Sequence, residues 1–158
     1  MKGNQKVVDV LNQVLRKELT GINQYFIHAK MCGNWGYDRL HKHIRKESIE
    51  EMQHADRIIE RILFLDGTPN ISTYDKITIG ADVKQQLAND LALELAALVV
   101  LHDGIKTCVE VVDDASRELL EHILVDEEEH VDWIETQLHQ INEVGYQNYL
   151  TQQIKEKD

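Results

Sequence analysis

Glu51-Met52-Gln53-His54 and Glu127-Glu128-Glu129-His130 are two copies of one motif, standing 76 residues apart in a chain of 158. Each copy places a carboxylate and an imidazole three residues apart, so both side chains fall on one face of an α-helix. Glu18 and Glu94 repeat the same offset, and each lies 33 residues before the Glu of its motif. The sequence therefore carries four Glu and two His in two equivalent halves.

Four long stretches around these residues have the hydrophobic period of a helix face. Apolar side chains recur at steps of three and four from Val7 to Cys32, Leu40 to Leu65, Val83 to Cys108 and Leu120 to Ile141. The four Glu and two His fall on these apolar stripes rather than beside them. We predict four long helices whose inward faces carry the six polar residues.

The connections between the helices predict the topology. Gly33-Asn34-Trp35-Gly36 and Asp113-Asp114 are short breaks, whereas residues 66–81 show no helical period and could follow the whole length of a bundle. Asp82 is the predicted N-cap of the third helix. Two hairpins joined by one long crossover describe an all-α, ferritin-like four-helix bundle.

The remaining chain predicts a short C-terminal fifth helix. The fourth helix stops near Gly145, and residues 146–155 form the fifth. Residues 1–158 are expected to form a single domain, which is long enough to bury a sizeable core.

Composition and charge exclude several classes of function. The formal charge of −11 argues against binding nucleic acid, which requires Lys and Arg to neutralise phosphates. No apolar run is long enough to cross a membrane, and the N-terminus lacks the pattern of a secretory signal. We expect a cytoplasmic address. Cys32 and Cys108 are expected to be buried thiols near opposite tips of the bundle, too far apart for an intrachain disulfide.

The six polar residues on core stripes predict a metal centre. Buried carboxylates repel one another and are costly to desolvate unless positive charge compensates them. One Glu from each of two helices plus Glu-x-x-His from each of the other two is the ligand pattern of ferritin-like di-iron and di-manganese proteins. Carboxylate with some imidazole suits iron or manganese. We expect Glu18 and His54 to hold one ion, Glu94 and His130 the other, and Glu51 and Glu127 to bridge.

Three further residues are candidates for roles beside this centre. Tyr25 lies two turns after Glu18 and either acts on a ligand or is a buried Tyr satisfied by a carboxylate. Asp90 lies one turn before Glu94 and either accepts a hydrogen bond near the ligands or faces solvent. Met52 projects away from the core, where it either packs on another subunit or offers its thioether to a haem-bound metal.

Over essentially its whole length the sequence resembles the bacterioferritins. Besides Glu18, the resemblance is carried by Ile22-Asn23-Gln24-Tyr25-Phe26, Glu51-Met52-Gln53-His54-Ala55-Asp56-Arg57, Ile62-Leu63-Phe64-Leu65, Asp90-Leu91-Ala92-Leu93-Glu94-Leu95, Asp126-Glu127-Glu128-Glu129-His130-Val131-Asp132-Trp133 and Gln147-Asn148-Tyr149-Leu150.

The resemblance implies a ferroxidase that oxidises ferrous iron with O2 or H2O2 and stores ferric mineral in a cage of 24 subunits built from dimers. It implies two iron ions per subunit at the six residues named above, and haem b held between two subunits by Met52 of each. The fifth helix would line a symmetry axis of the cage. A ferredoxin-type reductant would serve iron release.

One departure and several alternatives accompany this interpretation. Some bacterioferritins have a His and an Asp as an extra inner-wall iron site, and Lys46 and Glu50 stand at those positions here, which places that site in doubt. The main alternative function is a haem-carrying structural subunit of a mixed cage. A di-iron oxygenase would need a substrate pocket, a rubrerythrin-type peroxidase usually adds paired CxxC motifs, and a DNA-protecting mini-ferritin is disfavoured by the acidic charge.

Overall fold

The computed structural model describes residues 1–154 and contains four long helices and one short one. Their bounds are α1 Gln5–Asn34, α2 Asp38–Phe64, α3 Val83–Glu110, α4 Asp114–Val144 and α5 Tyr146–Thr151. The predicted all-α bundle with one long crossover and a short fifth helix is confirmed. The fifth helix ends earlier than expected, at Thr151, and Lys155 lies outside the described residues.

The helices pack as two hairpins laid against each other. α1 packs along α2, α3 packs along α4, and α1 of the first hairpin packs on α3 of the second, whereas the backbones of α2 and α4 approach each other least closely. None of the described helices is both long and apolar enough to span a bilayer.

Two apolar clusters form the core and leave a polar layer between them. One contains Leu11, Ile58 and Cys108, and the other contains Tyr25, Ile44 and Cys32. The two free cysteines therefore lie in separate clusters. The six predicted ligands occupy the helix positions between these clusters, so apolar packing on both sides holds the polar layer in place.

Helix ends follow the signals in the sequence. The Asp82 side chain accepts a hydrogen bond from the Gln85 backbone N–H at 2.8 Å, which confirms it as the N-cap of α3. Gly145 ends α4 with φ of 86°, a conformation in which other residues are strained. At the start of α4, Asp113 accepts from the Ser116 backbone N–H and from the Arg61 guanidinium, both at 3.0 Å.

The crossover between α2 and α3 has no helix or strand of its own, and side chains of α1 hold it against the bundle. Asp75 pairs with Arg16 and Lys17, each at 2.7 Å. Further along, the Thr78 backbone N–H donates to Gln24 Oε1 at 3.1 Å, and the Gly80 backbone N–H donates to His28 Nε2 at 3.0 Å. These bonds fix the path that reverses the direction of α3 relative to α1.

Replacing Asp113 with Ala is expected to lower the free energy of unfolding by about 1–2 kcal/mol, because the first turn of α4 loses its cap. Chemical denaturation of metal-free protein measures this change. Asp114→Ala is the matched control, since the neighbouring Asp114 carboxylate is 73% exposed and only 3.8 Å from Arg117. Equal losses in the two variants would contradict the capping role.

The Asp113 contribution should also depend on pH with a defined sign. Burial alone would raise the pKa of Asp113, but hydrogen bonds from Ser116 and the Arg61 charge outweigh burial and lower it. A carboxylate with a lowered pKa stabilises the fold above its unfolded pKa and loses that contribution as pH falls through the folded pKa. The difference between wild type and Asp113→Ala should therefore shrink on acidification below about pH 4.

Candidate metal centre

The six predicted ligands converge in the polar layer as two overlapping groups. Glu18, Glu51, His54 and Glu127 form one group, and Glu51, Glu94, Glu127 and His130 form the other, with potential ligand atoms within 4.8 Å of one another in each. All six side chains are buried. Glu51 and Glu127 belong to both groups, which is the position required of bridging carboxylates.

Each imidazole directs the same ring nitrogen at the centre. His54 Nδ1 lies 3.2 Å from Glu127 Oε1, 3.3 Å from Glu18 Oε2 and 3.6 Å from Glu51 Oε2. His130 Nδ1 lies 3.3 Å from Glu51 Oε1, 3.4 Å from Glu94 Oε1 and 3.7 Å from Glu127 Oε1. The two halves of the repeat thus present equivalent sets of donor atoms from opposite sides.

The outer nitrogen of each imidazole bonds to a carboxylate on the facing helix. His54 Nε2 lies 2.9 Å from Asp126 Oδ2, and His130 Nε2 lies 2.7 Å from Glu50 Oε2. An Nε2–H donated to a carboxylate fixes the ring and leaves the Nδ1 lone pair for a metal ion. These two pairs also connect α2 and α4, the helices whose backbones are furthest apart among neighbours.

Sequence reasoning missed both orienting carboxylates, although a signal was present. Asp126 was named only within the stretch that carries the family resemblance, and Glu50 was considered only as an inner-wall residue. Each directly precedes a bridging Glu, and the two are separated by the same 76 residues as the ligands. Applying the repeat offset to every polar position, rather than to the core stripes alone, would have selected them.

Without metal, protons compensate part of the negative charge. Burial would lower the pKa of His130, but Glu51 and then Glu94 outweigh burial and raise it well above its usual range. The pKa of His54 is likewise raised by Glu51 and Asp126 against the effect of burial. Burial and the Glu51 charge raise the pKa of Glu127 and of Glu94. The metal-free centre therefore holds protons where a metal ion would place positive charge.

The carboxylates fit metal ions because several of their oxygens lack any other partner. Within the described chain, Glu18 Oε1, Glu51 Oε1, Glu94 Oε2 and Glu127 Oε1 are buried and take part in no hydrogen bond. Unsatisfied buried acceptors are costly in a native protein and call for a ligand. A set of four carboxylates and two imidazoles without thiolate matches iron or manganese.

Tyr25 is fully buried, and its hydroxyl donates a hydrogen bond to Glu94 Oε1. Burial and the Glu94 charge raise the pKa of Tyr25 well above its usual value, so the phenol keeps its proton. Its ring also meets the edge of His130, with centroids 6.4 Å apart. Tyr25 is thus a donor to one carboxylate of the centre.

Asp90 is buried rather than facing solvent, and its hydrogen bonds lead away from the six residues. Its Oδ1 accepts from Gln24 Nε2 at 2.9 Å and from His28 Nδ1 at 2.8 Å. Since His28 Nε2 accepts from the Gly80 backbone, Nδ1 must carry the imidazole proton. Asp90 therefore fixes the residues that hold the crossover.

Met52 lies on the outer surface of α2 with 56% of its area exposed. Lys46 Nζ lies 3.9 Å from Glu50 Oε1, while the other oxygen of Glu50 contacts His130. Glu50 is therefore already engaged on both oxygens, and the doubt about an inner-wall iron site at Lys46 and Glu50 stays a prediction.

Comparison with known proteins gives consistent results. The profile of the ferritin-like domain family matches residues 8–144. Bacterioferritin BfrA of Mycobacterium tuberculosis (strain H37Rv) is 46% identical over 152 residues, which cover 96% of both chains. The bacterioferritins of Rhodobacter capsulatus and Brucella melitensis are 44% and 42% identical over 149 residues, which cover 94% of this chain and 92% of theirs.

Removing either orienting carboxylate is expected to weaken binding of the ion on its own side. Asp126→Ala frees the ring of His54, and Glu50→Ala frees that of His130, so each should lower the affinity for one Co²⁺ about 10–100-fold. Absorption of bound Co²⁺ under competition with a chelator measures both affinities. Glu128→Ala, an exposed carboxylate on α4, is the control. Wild-type affinity for both ions in either variant would contradict the orienting role.

Proposed function

Because the chain belongs to the bacterioferritins, a family of iron-storage proteins, we propose that it oxidises ferrous iron at this centre and stores the ferric product. The observation that carries the proposal is the pair of ligand groups sharing Glu51 and Glu127. Two ions held by shared carboxylates lie close enough to act together. A two-electron oxidant can then take one electron from each.

In this proposal ferrous iron is the substrate. Glu18 and His54 bind one ion, Glu94 and His130 bind the other, and Glu51 and Glu127 contact both. With O2 as the oxidant, two ferrous ions and two protons yield two ferric ions and one H2O2. With H2O2 as the oxidant, two ferrous ions and two protons yield two ferric ions and two waters.

The protein's own groups release protons when iron binds. Nδ1 of His54 and of His130 must lose its proton to act as a ligand, and the raised pKa values of both rings show where those protons are held in the empty site. Asp126 and Glu50 keep the Nε2 protons, so the rings stay oriented. The Tyr25 hydroxyl remains protonated and stabilises the charge on Glu94.

The alternatives have less support. Three cavities along the described chain are lined by residues other than the six ligands, so none of them offers an organic substrate a place at the centre. A purely structural, haem-carrying subunit would not need six buried ligands in two equivalent groups. The complete set favours a ferroxidase.

The proposal extends to assembly and haem. We infer that residues 1–158 act as one domain, that dimers build a cage of 24 subunits in the cytoplasm, and that a ferredoxin-type reductant serves iron release. Haem b would sit between two subunits with Met52 of each as axial ligand. Met52 and Ile49, which is 41% exposed, lie one turn apart on α2 and offer a thioether beside apolar surface. When bound, haem would supply a redox centre for electrons entering the cage.

An aerobic titration of metal-free protein with ferrous iron is the decisive experiment. Wild type should show a fast rise in ferric absorbance that breaks at about two irons per chain, followed by slower uptake of many more. Glu94→Gln removes a negative ligand with little change in shape, and should slow the fast phase by more than about 10-fold.

Glu128→Gln is the control for this titration because it removes an exposed carboxylate from the same ligand layer. It should keep both the break and the rate. If wild type lacked the fast phase, or Glu94→Gln retained it, the ferroxidase assignment would be wrong and the structural subunit would be the better interpretation.

Met52→Leu is expected to abolish haem binding, since leucine keeps the volume but has no thioether. Reconstitution with haem b, followed by the Soret absorbance per dimer, measures the loss. Met31→Leu, on α1, is the control and should bind haem as wild type does. Full haem occupancy in Met52→Leu would exclude Met52 as the axial ligand, without affecting the iron titration.

A further inference from the structure

A cavity of about 700 Å³ lies between the N-terminal half of α2, the C-terminal half of α4 and α5. None of the six metal ligands lines it. Three cationic side chains do, Arg39, Lys42 and Lys46, and its twelve lining residues include no Asp or Glu. This local excess of positive charge stands out in a chain with 17 Lys and Arg against 28 Asp and Glu.

The spacing of the three cations concentrates their charge. Steps of three and four residues place Arg39, Lys42 and Lys46 on one face of α2, where like charges repel one another. A carboxylate moderates only one end of the row, since Glu50 lies 3.9 Å from Lys46 and is itself bonded to His130. An anion in the cavity would relieve the repulsion.

Neutral donors complete the opposite wall. The Tyr149 hydroxyl donates to Gln137 Oε1 at 2.6 Å, which fixes this mostly buried amide with its oxygen toward Tyr149. The Gln137 NH2 group is then the end left to donate elsewhere. Gln140 and Gln152 add further amides to the lining. Cations on one wall and amide donors on the other suit a ligand with many acceptor oxygens.

The floor of the cavity is rigid. Trp133 lines it and stacks on His43, with ring centroids 3.8 Å apart and an interplanar angle of 15°. His43 is held in turn by Glu47, 2.9 Å from its Nε2. The stack covers one face of the indole and holds it in place, so binding in the cavity should be visible in the fluorescence of Trp133.

We propose that this cavity binds a phosphate group. Arg39 offers a planar fork of N–H donors and the two lysines offer point charges, and together they match a tetrahedral dianion better than a single carboxylate or chloride. The volume exceeds that of one phosphate ion. The bound group is therefore either inorganic phosphate or the phosphate of a small organic molecule such as a nucleotide.

The site does not depend on the ferroxidase proposal, because phosphate binding here requires no metal. Binding can therefore be measured on metal-free, assembled full-length protein. Trp35→Phe leaves Trp133 as the sole tryptophan of the chain. In this background, inorganic phosphate and AMP are titrated separately at constant ionic strength, with chloride as the compensating anion and Trp133 fluorescence as the readout.

We expect a saturable change in fluorescence that chloride alone does not produce. Arg39→Gln and Lys42→Gln should each weaken phosphate binding about 10-fold, the effect of losing one charge-assisted hydrogen bond. Lys106→Gln removes an exposed charge from α3 and should leave binding unchanged. Lys42→Gln keeps the test sound if Arg39→Gln fails to fold, because Arg39 also bonds to the Gln152 carbonyl.

Each outcome decides between the sources or against the site. Saturable binding of phosphate and of AMP supports recognition of the phosphate group alone, and binding of only one of them identifies the source. If neither produced a change beyond chloride, the proposal would be overturned, as it would if a neighbouring subunit filled the cavity. Equal affinity in wild type and in both charge variants would overturn it as well.

Discussion

Four carboxylates and two imidazoles are buried together at the centre of this bundle, and the repulsion among the carboxylates is the constraint on which the rest of the structure depends. Apolar packing on either side of the polar layer must outweigh the cost of desolvating these charges. In the metal-free protein the histidines hold protons that offset part of the charge, and bound cations would offset more of it. Long helices in fixed register follow from this requirement, since each contributes only one or two ligands.

Much of this arrangement could be predicted from the sequence because it is encoded locally. Hydrophobic periodicity located four helices, and the unpatterned segment at 66–81 distinguished one long crossover from two short turns. Asp82 had the local signature of an N-cap and acts as one. The six polar residues stood out because they interrupt apolar stripes at a repeated offset, and the structure brings all six together.

What could not be predicted depends on pairing between distant segments. The pairs Asp126–His54 and Glu50–His130 join α2 to α4, and no local pattern says which surface carboxylate meets which ring. Asp90 is similar, because its position on α3 left burial and exposure equally open. It is buried because His28 and Gln24 meet it from α1 while bonding to the crossover backbone. The end of α5 at Thr151 also had no clear stop signal in the sequence.

The sharing of Glu51 and Glu127 between the two ligand groups has a mechanical consequence. Each group takes three residues from one hairpin and a single bridging Glu from the other. A small slide of one hairpin along its neighbour would thus displace one ligand in four within each group, and by the same amount in both. Distortion of the subunit would then be divided equally between the two positions, so that neither ion site fails before the other.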